Sequence, residues 1–143
     1  DGSFEFTDLP GNQSYFLHAE KDGSHVNGVS IFDLVLISRH ILGVEPLDSP
    51  YKIIAADVNR SGTVTTLDLV LIRRVILGAD QGFSQTGAWR FIPADYVFPI
   101  PEDPFANGGF PETFNFAELK RDTLVHFIGI KSGDVNGTVI LVE

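Results

Sequence analysis

Cysteine and methionine are both absent from the 143 residues. Without cysteine there is no disulfide framework, no thiolate metal site and no thiol redox chemistry. Basic residues are few, ten against nineteen acidic ones, and the formal charge of −9 disfavours nucleic acid and anionic membrane surfaces while suiting cation binding. Long hydrophobic runs are missing too. The longest span about ten residues and carry Arg39, or Arg73 and Arg74, too short and too charged to cross a bilayer. No glycine-rich phosphate loop occurs, and His18, His25, His40 and His126 fall in neither a zinc-helix motif nor the setting of a Ser or Cys nucleophile. A non-enzymatic chain is expected. No signal-peptide pattern opens it, and a start at Asp1 without Met reads as a processed or excised piece.

What is present centres on Asp57-Val-Asn-Arg-Ser-Gly-Thr-Val-Thr-Thr-Leu-Asp68, which leads into the apolar run Leu69 to Leu77. A small loop around Ca²⁺ presents oxygens at alternate residues and needs one sharp turn between them. Asp57, Asn59 and Ser61 occupy positions 1, 3 and 5. Gly62 sits at the turn, Thr63 offers a backbone carbonyl at 7, Thr65 falls at 9 and Asp68 at 12. Ser61 and Asp68 depart from the general EF-hand pattern, which prefers an acidic or amide ligand at 5 and the longer Glu at 12. The competing reading is a polar turn whose Asp68 caps the following helix.

Val29 to Gly43 repeats Val64 to Gly78 at a constant offset of 35, with ten of fifteen positions identical. The shared core is Asp-Leu-Val-Leu-Ile, an Arg, then Ile-Leu-Gly, with Gly43 and Gly78 placed to stop two helices. Both helices are apolar around most of their circumference, so each needs a buried partner, and the obvious one is its twin. The loop before the first helix is poorer. Asp22, Ser24 and Asp33 match positions 1, 3 and 12, but Val26 stands at 5 and Asn27 replaces the glycine.

The tandem of Asp-Val-Asn-x-Ser-Gly-Thr loop, Leu-Asp-Leu-x-Leu helix and Ile-Leu-Gly stop resembles the type I dockerin family over residues 22 to 78. That resemblance implies two calcium loops ending in Asp, which accounts for Asp68 and Asp33, and an extracellular location on a bacterial surface protein. It also implies that loop positions 10 and 11, often Ser-Thr in the family, contact a cohesin. Here they are Ile31-Phe32 and Thr66-Leu67, and the unequal pairs argue against a cohesin partner.

Ahead of this unit, residues 1 to 20 alternate apolar and polar in two short runs joined by Asp8-Leu-Pro-Gly-Asn12, the pattern of a β-hairpin. Their wording from Asp1 to Leu17 resembles the closing strands of carboxypeptidase-regulatory-like and Cna-B-like sandwiches of secreted bacterial proteins, with a Bacteroidetes flavour. An isolated pair is marginal, so these strands must pair with later ones or with another chain. Residues 79 to 117 hold five prolines and nine aromatics and read as an irregular covering layer with one or two short strands, in which Trp89, Phe91, Tyr96 and Phe98 pack into the core. Two further strands are expected, Thr123 to Ile130 and Thr138 to Val142. Between them, Asp134-Val-Asn136-Gly echoes the opening of the good loop. It is either a simple β-turn or the source of the ligands that the first loop lacks, completing a split site with Asp33.

The expected fold is α+β: a dockerin-like pair of calcium loop-helix units (residues 21 to 80) on a small antiparallel β-structure from both chain ends (1 to 20 and 81 to 143). One Ca²⁺ is expected on Asp57, Asn59, Ser61, Thr63, Thr65 and Asp68, and a second on some of Asp22, Ser24, Asp33, Asp134 and Asn136. The expected function is an extracellular, calcium-stabilised structural or interaction module of an adhesin-type protein. Its partner is another protein or itself. Two rival readings are a fibre subunit joined by donated N-terminal strands and a dockerin appended to an extracellular enzyme.

Overall fold

The structure, a computed structural model, describes residues 2–141. Its first strand, β1 (Tyr15–His18), precedes helices α1 (Ile31–Ile41), α2 (Pro50–Ala56) and α3 (Thr66–Ile76), which are followed by strands β2 (Trp89–Pro93), β3 (Thr113–Phe116) and β4 (Phe127–Lys131). The fold is α+β, as expected.

The two repeat helices begin and end alike because their sequences do. Ser30 and Thr65 are N-caps whose hydroxyls accept from the amides of Phe32 (3.2 Å) and Leu67 (3.3 Å). In return, Asp33 and Asp68 at the third helical position each accept the cap residue's own amide at 2.8 Å, a reciprocal capping box. At the far ends Gly43 and Gly78 take left-handed conformations, φ 67° and 70°. Val44 and Ala79 then donate back to the carbonyls of Arg39 and Arg74 at 2.9 and 2.8 Å, a Schellman closure. Helix α1 packs on α3. Ile37 and its counterpart Ile72 are fully buried in a core that also takes in Val29, Ile54, Val58, Val75, Phe83, Phe98, Ile130 and Val135.

Helix α2 was not foreseen. It is only seven residues long, and its sequence signal is the Ser49-Pro50 start, where the Ser hydroxyl accepts from Tyr51 N at 3.3 Å and Pro opens the first turn.

The hairpin expected within residues 1–20 does not form. Tyr15–His18 pairs antiparallel with Thr113–Phe116 (Tyr15 opposite Phe116), and Phe4 and Phe6 are exposed outside any strand. The second sheet joins Trp89–Pro93 to Phe127–Lys131. Of the expected strand from Thr123 only the last part is strand, from Phe127 on. Residues 138–141 are not strand: the amides of Thr138 and Val139 donate to the Asp134 carboxylate and that of Ile140 to Asn27 Oδ1; Val142 lies outside the described residues. Of the units drawn at 1–20, 21–80 and 81–143, the first is laddered to the third through β1 and β3, and the second is tied to the third by the Gly133 amide on the Ala55 carbonyl and the Val135 amide on Asp33. In the covering layer Phe98 is buried and meets Tyr51, Tyr96 and Phe110 edge-on or tilted at 5.0 to 6.0 Å between centroids. Trp89, Phe91 and Tyr96 are half-buried.

Candidate metal centre

Helix α2 delivers the chain directly into Asp57, whose side chain is 1% exposed. Asp57 Oδ1 accepts from the Ser61 amide and Oδ2 from the Gly62 amide, both at 3.0 Å, so the carboxylate winds the loop around itself. Asn59 Oδ1 accepts the same Ser61 amide at 3.0 Å. Arg60 and Gly62 take left-handed φ of 56° and 77°, which makes the sharp turn. The closing residue, Asp68, is fully buried; its Oδ1 accepts the Val58 amide at 3.1 Å.

The oxygens of this loop converge. Ser61 Oγ lies 3.4 Å from Asp57 Oδ1 and 2.9 Å from the Thr63 carbonyl. Neighbouring oxygens on one Ca²⁺, each about 2.4 Å from the ion, stand roughly 2.8 to 3.4 Å apart. Thr65 contributes its hydroxyl to the helix cap rather than to the loop interior. No salt bridge reaches Asp57 or Asp68 among the described residues, although both are buried. Burial raises the pKa of Asp68, and the charge of Asp57 pushes the same way, against the amides that favour the carboxylate. A cation between them would relieve both costs. An all-oxygen donor set of two carboxylates, an amide, a hydroxyl and a carbonyl fits a hard divalent ion. No three His, Cys, Asp or Glu side chains cluster to hold a metal among the described residues, so the neutral oxygens must complete any such sphere.

The loop is anchored from outside at its fourth position. Arg60 reaches Glu112 at 3.1 Å, and the buried Arg90 reaches the same carboxylate at 2.9 Å. Nothing in the local pattern of the loop foretold that tie.

The residues predicted for a second loop are not all brought together. Asp22 is exposed, and Ser24 Oγ accepts the Asn27 amide at 3.2 Å. The places that spacing assigns to them are taken by the C-terminal segment, entered from β4. Asp134 is buried, and the Val135 amide donates to Asp33 Oδ1 at 2.9 Å, the counterpart of Val58 on Asp68. Asp134 Oδ1 accepts from Gly137 and Thr138 at 2.7 and 3.1 Å, and Oδ2 from Val139 at 2.8 Å. Asn136 Oδ1 accepts the Thr138 amide at 3.2 Å, as Asn59 does that of Ser61. Thr138 and Gly28 were not predicted. The only sequence signal for Thr138 was its place two residues after Asn136.

The comparison with protein families fits this geometry. Residues 26–77 match the dockerin type I domain. The dockerin-like segment thus spans both repeat helices and the complete loop, and starts after Asp22 and Ser24. Dockerin type I domains bind calcium and mediate protein–protein interaction, which supports a calcium-binding interaction module here. Neither the curated proteins nor the solved structures gave a match. No helix is long and apolar enough to cross a membrane among the described residues.

Proposed function

We propose that this chain is an extracellular, non-catalytic interaction module of a bacterial surface or adhesin-type protein, with Ca²⁺ on Asp57, Asn59, Ser61, the Thr63 carbonyl and Asp68 fixing the start of α3. The observation that carries the reading is the burial of Asp57 and Asp68, which no salt bridge reaches among the described residues, in a loop where Ser61 Oγ stands at calcium spacing from Asp57 Oδ1 and the Thr63 carbonyl. The ligands lie apart in an unfolded chain and converge only in the native one, so metal binding contributes directly to folding. A chelator is expected to lower the melting temperature of the wild-type chain, and Asp57→Ala to remove most of that response. Melting curves indifferent to both would discard the calcium reading.

The interaction surface is duplicated like the helices. Phe32, Val35 and Leu42 on and just after α1 are exposed, and so are their counterparts Leu67, Val70 and Leu77 around α3. Apolar side chains left outside at matching positions of both repeats fit a protein partner. Phe32 in place of a small polar residue at the position the family uses for cohesin favours a different partner.

Self-association through the N-terminal strands is a second reading, favoured by one observation. Among the described residues the β1–β3 sheet has two strands, and Phe16 on β1 is exposed. A two-stranded sheet leaves outer edges that another strand can join. Size-exclusion chromatography with and without residues 1–20 separates the cases, and a monomer in both rejects strand exchange.

A further inference from the structure

We propose that the chain holds a second Ca²⁺ site whose loop is discontinuous, with Asp134, Asn136 and Thr138 from the C-terminal segment facing the Gly28 carbonyl and Asp33 at the start of α1. The proposal rests on the calcium reading of the complete loop and extends it to residues about a hundred positions apart in sequence.

The two loops correspond residue by residue. Asp134, Asn136 and Thr138 stand where Asp57, Asn59 and Ser61 stand, at the first, third and fifth positions. Gly137, at φ 72°, turns the chain where Arg60 does at φ 56°. Here the chain breaks. In the complete loop Ser61 Oγ touches the Thr63 carbonyl at 2.9 Å; in the other, Thr138 Oγ1 touches the Gly28 carbonyl at the same 2.9 Å. Gly28 thus takes the seventh position from a different part of the chain. From there the order resumes, with Val29 for Val64, Ser30 for Thr65 and Asp33 for Asp68.

Two observations independent of that correspondence point to a held ion. A Cβ on Gly28 would lie 2.7 Å from Asp134 Oδ2 and 2.6 Å from the Val139 backbone, so the junction is open only because residue 28 has no side chain. Asp33 is fully buried and Asp134 nearly so, yet no salt bridge reaches either among the described residues. The nearby Lys131 feels the charge of both carboxylates but reaches neither as an ion pair, its ammonium donating to the carbonyls of His25 and Ser132 at 2.9 and 3.2 Å. Asn27 fastens the junction from outside by exchanging two hydrogen bonds with Ile140 at 2.6 and 3.2 Å. Calcium here would clasp residues 134–140 to the first helix, where calcium in the complete loop joins only near neighbours.

The test is isothermal titration of CaCl₂ into the metal-stripped full chain, with hydrogen exchange at the amides of residues 137 to 139. Two ions per chain are expected in the wild type, one in Asp134→Asn and one in Asp57→Asn, with Asp22→Ala keeping both. The 137–139 amides should exchange at least tenfold faster after chelation. Should Asp134→Asn fail to fold, Asn136→Ala and Thr138→Val, at less buried positions, are each expected to weaken one site at least tenfold. One ion in the wild type, lost in Asp57→Asn and kept in Asp134→Asn, overturns the discontinuous site and leaves the complete loop standing. Loss of an ion in Asp22→Ala returns the second site to a contiguous loop and also overturns it. No binding at all overturns both readings.

Discussion

The amide of Val135 donates to Asp33 Oδ1 at 2.9 Å across 102 residues of sequence, and the amide of Val58 donates to Asp68 Oδ1 at 3.1 Å across ten. The same bond ties each loop opening to its helix start. One tie is local and the other depends on the whole chain being folded, so the two ends of the repeat should respond differently to the same insult.

Gly28→Ala is expected to destabilise the chain far more than Gly43→Ala. Both residues have positive φ, 81° and 67°, a conformation that costs an L-residue about 1 to 2 kcal/mol. A methyl at 43 meets nothing, whereas at 28 it meets the Val139 backbone at 2.6 Å and must force the segments apart. Urea unfolding should show a loss of about 1 kcal/mol for Gly43→Ala and at least about 3 kcal/mol for Gly28→Ala. Equal losses would mean that the junction with the C-terminal segment is not tight.

The paired core isoleucines should cost alike. Ile37→Ala and Ile72→Ala each empty a fully buried site between α1 and α3, for an expected loss of about 2 to 5 kcal/mol by denaturant melts. A loss below 1 kcal/mol at either would argue that the helices do not pack as described.

Chelation should do more than lower the melting temperature. Among the described residues beyond Lys131 the chain makes no strand pairing and is held through side-chain contacts, so limited proteolysis in chelator should cut within 134–141 before it cuts within α3. Equal protection with and without calcium would count against a metal clasp.

Stability should rise with pH between about 8 and 10.5 in chelator. Burial lowers the pKa of Lys131 from 10.5 to about 8, against the pull of Asp134 and Asp33. In that window the unfolded chain binds the proton that the folded chain has released, so raising pH favours folding; below about 8 both states hold it and the term is flat. The gain is of the order of 2 to 3 kcal/mol, and Lys131→Met should abolish it in urea midpoints taken across the window.

The helices were legible because everything that makes them is local. The apolar runs 34–37 and 69–72 repeat at a constant offset and Gly43 and Gly78 close each unit, while the caps Ser30 and Thr65 emerged only with the structure. Helix α2 was missed since seven residues with four buried in a row show no amphipathic period. The hairpin at residues 1–20 failed for another reason. Alternation in Tyr15–His18 marks a strand correctly but says nothing of its partner, which turned out to be Thr113–Phe116.

The sequence by itself determined the repeat, the glycine stops of its helices and the oxygen-rich loop from Asp57 to Asp68, because each is written in a short run of consecutive residues. Only the tertiary structure decided the first repeat's loop. Asp22 and Ser24 had the right spacing, but a buried carboxylate at Asp33 takes whatever donor the fold brings to it. Helix α2 and β4 pack side by side, the Gly133 amide donating to the Ala55 carbonyl at 2.8 Å, and that packing delivers Asp134 and Val135 to Asp33. Spacing along the chain cannot register a contact made by the packing of two elements far apart in it.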